Sequence, residues 1–309
     1  MRIVFMGTPE FAVPVLDALH HDPDHDILAV VTVPDHMGGR DRNRRLESAV
    51  KRYAVKNELP VLQPKKLNHS GFLNELREMK PDCIVVVAFK KLPKLVWSIP
   101  KYGTINLHAS LLPAYRGAAP INHAIIRGET ETGMTTFFID EKIDTGEILL
   151  QSKMAIERDD TAGSLYQRMM KSGGDLVLKT LEGIKNDQIQ PTPQDDKNSS
   201  DAPKVFFDKN EIDFNQSTED VYNFIRGMSP YPATWIRFQE KILKIYFAEP
   251  VFEAHHKNPG EIDTDYRSYF RIYAKDGYLE LTDVQMEGKR RMNIRDFLNG
   301  LRPEDGKQY

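Results

Sequence analysis

Three apolar runs constrain the fold more than any other feature of the chain: RIVFMG at 2–7, DILAVVTVP at 26–34 and PDCIVVVAF at 81–89. Each reads as a buried strand. Between the first two, TPEFAVPVLDALH reads as a turn followed by a helix, and the amphipathic GFLNELREMK precedes the third. A strand, a helix and a second strand in that order point to a parallel pair with the helix crossing one face. The opening therefore predicts an α/β unit with a Rossmann-like, mostly parallel sheet. LPVLQPKKL at 59–67 adds a short edge-type strand. Only Gly7 follows the first strand, so the GxGxxG turn that brings a pyrophosphate against the backbone is missing, and a dinucleotide site is excluded.

The densest chemistry lies between Thr104 and Ile148, in TINLHASLLPAYRGAAPINHAI and, after a short gap, TGMTTFFIDEKIDTGEI. Asn106 and His108 stand two apart in a segment that reads as the end of a strand, so their side chains project to the same face. They can aim an amide donor and an imidazole at one reacting atom. Asp144 follows in a turn-like IDTG, where a carboxylate can hydrogen-bond the imidazole, fix its tautomer and support its protonated form. Two prolines and a glycine in SLLPAYRGAAPIN rule out a continuous helix or central strand and predict a shaped loop. A histidine taken alone in an apolar stretch is more often a hydrogen-bonded structural residue. With the amide and the carboxylate at this spacing, the three make a candidate site for acyl chemistry on an amine.

At 309 residues, 40% of them hydrophobic, the chain can bury the cores of about two domains. No run approaches the roughly 20 apolar residues of a membrane span, and MRIVFMGTPEF lacks the apolar core and cleavage site of a signal peptide. The expectation is a soluble, cytoplasmic monomer with no membrane partner. Cys83 is the single cysteine and sits inside CIVVVAF, which excludes intrachain disulfides and predicts a buried thiol. No Cys/His cluster has zinc spacing. A formal charge of −3 gives no global sign of nucleic acid, so any RNA contact must come from local patches. One such patch is HMGGRDRNRRLESAVKRYA, where Arg40, Arg42, Arg44, Arg45, Lys51 and Arg52 follow a flexible Gly38–Gly39 pair. By itself a run of this kind is usually a solvated loop entering a helix.

QSKMAIERDDTAGSLYQRMMKSGGDLVLKTLEGI reads as a strand and a long scaffold helix with Thr161 at its N-cap. PTPQDDKNSSDAP, rich in proline, serine and charge, is the best linker. The predicted organisation is a domain at 1–190, a linker at 191–205 and a second domain at 206–309. In the second, DVYNFIRGMSPYPATWIRF suggests a helix and a turn. KILKIYFAEPVF, YFRIYAK and GYLELTDVQ suggest short strands before a closing FLNGL helix, a pattern that fits a small OB-like β-barrel.

NLHxSLLPxYRGxxPIN joined to a later DTGxI resembles the folate-dependent formyltransferases, whose active sites carry Asn, His and Asp. The resemblance extends to IDF, SPYPATW and GKRRM…FLNG, and so covers nearly the whole chain. It implies transfer of the formyl group of 10-formyltetrahydrofolate to an amine, with Asn106, His108 and Asp144 as the catalytic residues. Ser110, Leu111, Leu112 and Pro113 would form one wall of the folate pocket, and Arg116 and Gly117 would hold the loop's shape. No metal is required, because N10 of the folate is already an activated leaving group. The basic loop matches in position the loop with which the tRNA-acting members engage the acceptor arm, and the family's C-terminal domain is a barrel of OB type. The implied acceptor is therefore the amino group of methionine on initiator tRNA, with Arg40, Arg42, Arg44 and Arg45 as tRNA contacts. Arg226, Tyr231, Trp235, Arg237 and Arg295 could join them, but Lys289, Arg290 and Arg291 are the better phosphate contacts and the aromatics are read as core. Lys90 and Lys91, where many members carry a small residue, could meet the folate tail or phosphate, though exposed solubilising lysines are the default. The competing acceptors are an amino-sugar nucleotide or glycinamide ribonucleotide. From another class comes a non-catalytic RNA-binding protein on the same fold.

Overall fold

The structure, a computed structural model, describes residues 1–38 and 44–301, with nothing described of the side chains of Arg44 and Arg45. Two compact units are formed: Met1–Gly117, Thr132–Ala155 and Tyr166–Asp201 make the first, and Ala118–Glu131, Ile156–Leu165 and the chain from Ala202 onward make the second.

The chain begins with β1 (Arg2–Gly7), α1 (Val13–His21) and β2 (Asp26–Val31). A small hairpin follows, β3 (His36–Gly38) paired antiparallel with β4 (Arg44–Leu46). Next come α2 (Ala49–Lys56), β5 (Val61–Leu62), α3 (Ser70–Glu78), β6 (Cys83–Val87), α4 (Lys94–Trp97) and β7 (Thr104–His108). The two-residue β8 (Arg116–Gly117) and α5 (Pro120–Ile126) lead to β9 (Glu131–Phe138), β10 (Ile148–Ala155) and α6 (Ala162–Lys185). Beyond β11 (Asp201–Ala202) lie α7 (Thr218–Met228), β12 (Thr234–Phe238), β13 (Lys241–Val251) and β14 (Ile262–Thr264). β15 (Phe270–Tyr273), β16 (Tyr278–Met286), β17 (Met292–Asn293) and α8 (Ile294–Asn299) complete the order.

The first unit is built on a seven-stranded sheet of order β10-β9-β7-β6-β1-β2-β5. Pairs β1/β2, β1/β6, β2/β5 and β6/β7 are parallel, whereas β7/β9 is antiparallel. The apolar runs become its centre: every residue of Ile3–Gly7 and of Cys83–Val87 is buried, so β1 and β6 can be covered on both faces. The short β5 lies at the sheet edge, as its sequence suggests. Val4, Met6, Val31, Ile84 and Val86 share one core with Phe72, Leu73 and Leu76 of α3. Cys83 is buried, and desolvation pushes its thiol up to about 12.

Winding reverses at β1: the chain moves outward to β2 and β5, then returns to add β6 and β7 on the other side. Such a reversal opens a crevice beyond the carboxyl ends of the strands. Gly7 ends β1 there, and a Cβ on it would stand 2.8 Å from that of Ala12 and 3.1 Å from the Val87 carbonyl oxygen. The glycine thus serves close packing of the first turn rather than phosphate approach.

The second unit carries an antiparallel, OB-like half-barrel of order β12-β13-β16-β15-β14, with β17 also on β16. Its core joins Leu243, Ile245, Ile272, Leu281 and Val284 to Val221 and Ile225 of α7. The rings of Phe238, Phe270 and Phe297 lie 5.2 to 6.4 Å apart within it, in the separation range of favourable aromatic pairs. Ser217 caps α7 by accepting from the Asp220 amide, and Asn293 caps α8 by accepting from that of Asp296. No described helix is long and apolar enough to cross a membrane.

Candidate active site

β7 delivers Asn106 and His108 to one face at the sheet rim. Parallel pairing sets Asn106 beside Val86, and antiparallel pairing sets His108 opposite Thr135. His108 is only 6% exposed. Its Nε2 lies 2.8 Å from the Tyr115 carbonyl oxygen. A carbonyl only accepts, so Nε2 carries the hydrogen and Nδ1 is the nitrogen left to bind a proton. That Nδ1 faces Asp144 Oδ2 at 3.7 Å, longer than a hydrogen bond and close enough for the carboxylate to pair with the ring once it is protonated. Asp144 Oδ2 instead accepts from the Gly117 amide at 2.9 Å. The half-buried Asn106 amide has no hydrogen-bond partner among the described residues, which leaves its donors available.

The Asp144 turn is tightly specified. Asp144 adopts φ +56°, and a Cβ on Gly146 would stand 1.6 Å from the Phe138 carbonyl oxygen. Gln194 reaches in from the segment after α6. Its Nε2 donates to the carbonyls of Asp144 (3.0 Å) and Gly146 (2.7 Å). Its Oε1 accepts from Arg116 Nε (3.0 Å) and Nη2 (2.7 Å), while Arg116 Nη1 pairs with Asp196 at 2.8 Å.

The shaped loop after β7 is held mainly through its backbone. Thr135 Oγ1 donates to the Ser110 carbonyl at 2.7 Å and accepts from the Leu112 amide at 3.0 Å. Gln151 Nε2 donates to the Leu112 carbonyl at 2.9 Å. The Ser110 hydroxyl donates to the Ala114 carbonyl at 2.6 Å and is fully buried, as is nearly all of Leu112, so Leu111 and Pro113 are the partly exposed members of this wall. Sequence reasoning missed Thr135, Gln151 and Gln194 because each acts on the main chain of a distant segment. Neither ETGMTTFF of β9 nor ILLQSKMA of β10 alternates polar and apolar residues, so nothing in the sequence marks the first two.

Arg40 and Arg42 lie outside the described residues. The backbones of Arg44 and Arg45 belong to β4. Lys51 is committed to Asp35 (2.5 Å) and Glu47 (2.8 Å), and Arg52 donates to the Glu47 carbonyl, so these two support the start of α2. Lys90 and Lys91 are exposed. In the second unit Lys289, Arg290 and Arg291 form an exposed turn between β16 and β17. Arg291 pairs with Asp283 and lies 4.2 Å from the Tyr246 ring centroid. Arg237 and Arg295 are exposed, Tyr231 is 82% exposed, and Trp235 is buried with its indole N–H on the Phe207 carbonyl. Arg226 is not a surface cation: it is 5% exposed, donates to Asn223 Oδ1 (2.9 Å) and the Asp160 carbonyl (3.2 Å), and stacks on Tyr222. Burial on the inner face of α7 lowers its pKa.

A cavity of about 840 Å³ opens at the other, Thr104, end of β7, with Trp97, Tyr102, Phe138 and Gln194 in its lining. Among the described residues no group of His, Cys, Asp and Glu is placed to hold a metal ion.

A family model described as formyl transferase matches residues 1–181, and one described as formyl transferase, C-terminal domain, matches 205–302. The chain is 46% identical to a methionyl-tRNA formyltransferase of Parabacteroides distasonis, covering 98% of this chain and 96% of the relative. It is 45% identical to one of Flavobacterium johnsoniae over 97% of this chain and 96% of that one. Among solved structures, an N-formyltransferase of Helicobacter canadensis in complex with folinic acid and dTDP-3-aminofucose shares the fold, with 24% identity and a TM-score of 0.68. It covers 92% of this chain and 98% of its own. HypX of Aquifex aeolicus in complex with tetrahydrofolic acid does so at 20% identity and a TM-score of 0.63, over 96% of this chain and 47% of that one. With one family model covering more than half its length and full-length relatives above 40% identity, the chain belongs to the formyl transferase family, the family of the methionyl-tRNA formyltransferases.

Proposed function

We propose that the chain transfers the formyl group of 10-formyltetrahydrofolate to the α-amino group of methionine esterified to initiator tRNA, for translation initiation. The observation that carries this reading is near-complete coverage by methionyl-tRNA formyltransferases at 42–46% identity, through both family regions. The likeness to sugar N-formyltransferases, at 24% identity or below, speaks for the fold and does not favour an amino-sugar acceptor.

Formyl transfer between two nitrogens requires an amine to lose a proton as it attacks the formyl carbon. A tetrahedral oxyanion forms and collapses with N10 of the folate as leaving group, and N10 receives the proton that the amine gave up, so that the base ends as it began. Asn106, with unpaired donors at the rim, supplies a hydrogen bond to that oxyanion. A preorganised donor of this kind contributes about 2.7–4 kcal/mol. His108 takes up the amine proton at Nδ1, since Nε2–H is held by Tyr115. Once charged, the ring faces the Asp144 carboxylate and adds its field to that of Asn106. An acid/base residue so placed contributes typically about 10²–10⁴ in rate. Asp144, anchored by the Gly117 amide, fixes where that charge is stabilised. Leu111 and Pro113 line the pterin side, and the arginines at 40, 42, 44 and 45 engage the tRNA.

The test is formylation by purified protein supplied with 10-formyltetrahydrofolate and either methionyl initiator tRNA, free methionine or an amino-sugar nucleotide. Product with the tRNA alone is expected. In the same assay Asp144→Ala should lose turnover while remaining folded, with its thermal midpoint lowered by loss of the Gly117 contact; wild-type turnover in that variant contradicts its role.

A further inference from the structure

The segment that composition marks as a linker carries a side chain built into the Asp144 turn. Gln194 is placed by backbone before it is placed by side chain: Thr192 and Ile148 exchange both main-chain hydrogen bonds, at 2.8 and 2.9 Å, two residues from it. Arg116 then decides which way the amide faces. A guanidinium has only donors, so the atom 2.7 and 3.0 Å from Nη2 and Nε must be the amide oxygen. The NH₂ group is thereby turned to the Asp144 and Gly146 carbonyls at 3.0 and 2.7 Å. Those carbonyls flank Thr145 in a turn whose first residue sits at φ +56°, a conformation that non-glycine residues keep only where the surroundings impose it. On the other side of the turn, the Gly117 amide holds Asp144 Oδ2, and Gly117 directly follows Arg116. One strand of sequence, Arg116–Gly117, therefore grips both the carboxylate and the glutamine that orders its backbone.

We propose that Gln194, oriented by Arg116, is a positioning residue for the reaction: its two donated hydrogen bonds hold the Asp144 turn so that the carboxylate faces His108 Nδ1. This rests on the formyl-transfer reading above. Gln194 touches neither substrate on this account, so its loss displaces the carboxylate without removing a binding contact.

Two variants test it, Gln194→Glu and Gln194→Leu, assayed with 10-formyltetrahydrofolate and methionyl initiator tRNA. Thermal unfolding and equilibrium binding of 5-formyltetrahydrofolate are followed alongside. Glutamate keeps the size and the Arg116 contact but cannot donate to two carbonyls, so anchoring alone would be rescued by it and donation would not. The expected result is a fall in kcat of roughly ten- to a hundredfold in both variants, with each KM and the 5-formyltetrahydrofolate affinity within about threefold of wild type. Wild-type kcat in Gln194→Glu, or a loss confined to KM, overturns the proposal. Should Gln194→Leu fail to fold, the isosteric variant decides. Absence of turnover in the wild-type protein would overturn the formyl-transfer reading, and this inference with it, a result distinct from active wild type beside an active Gln194→Glu.

Discussion

At the scale of single residues, the chemistry turns on which atoms are left unengaged. His108 has one nitrogen tied to a carbonyl, Asp144 has one oxygen tied to an amide, and Asn106 keeps its donors. Replacing Asn106 with alanine should therefore lower kcat by about 10²–10³ with little effect on the thermal midpoint, because the lost bond forms only as the oxyanion develops. Steady-state kinetics beside a melting curve checks both halves. Gly146 poses a harder constraint. With a Cβ 1.6 Å from the Phe138 carbonyl oxygen, Gly146→Ala must move main chain, and both turnover and melting temperature should fall. Unchanged values for both would mean that the turn is looser than its contacts imply. That Asn106 and His108 share a face with the Asp144 turn beside them was legible in sequence, since a two-residue spacing at a strand end and an IDTG turn report directly on local geometry. The 3.7 Å gap between His108 Nδ1 and Asp144 Oδ2, too long for a hydrogen bond, was not, because it depends on Gly117 competing for the same oxygen.

At the scale of elements, legibility followed period and length. β1, β2 and β6 are apolar runs long enough to read, and β13, β15 and β16 carry the β-branched and aromatic content of strands. The β3–β4 hairpin was not foreseen: three residues a side give no periodicity, and the basic composition of HMGGRDRNRRL suggests only a loop. Arg226 shows the opposite difficulty. Its position one turn from Tyr222 on α7 places it on the buried face, yet a lone arginine in sequence reads as surface. The same helix offers a pH test. Its first residue, Thr218, donates through both N–H and Oγ1 to the remote carboxylate of Asp276, at 2.7 and 2.8 Å, which holds that carboxyl below its usual range. A carboxyl whose pKa is lower in the folded state contributes stability above the unfolded value of about 3.9, and that contribution is lost as pH falls through the folded one. Melting temperature followed from pH 6 down to about 3 should therefore fall less steeply in Asp276→Asn than in the wild type. Parallel curves would remove the role given to this cap.

At the scale of the molecule, each unit draws on chain segments that a linear reading assigns by neighbourhood alone. Ala118–Glu131 and Ile156–Leu165 group with the second unit, for instance through the Asn122 amide on the Gly227 carbonyl at 2.7 Å. Such long-range pairing leaves no mark in composition. The balanced charge of the chain makes RNA recognition a property of patches, and the basic loop is the one to remove. Replacing Arg40, Arg42, Arg44 and Arg45 together with glutamine should raise KM for tRNA and flatten its salt dependence, while leaving 5-formyltetrahydrofolate affinity near wild type. A change in folate affinity with tRNA use intact would contradict the assignment. The central claim, that this rim moves a formyl group onto aminoacylated tRNA, is tested most directly by single-turnover formylation of methionyl initiator tRNA by wild-type protein and by Asn106→Ala. Rapid N-formylmethionyl-tRNA formation is expected from the first and a rate about 10²-fold or more lower from the second. Equal rates, or formylation of an amino-sugar nucleotide in place of the tRNA, would contradict it.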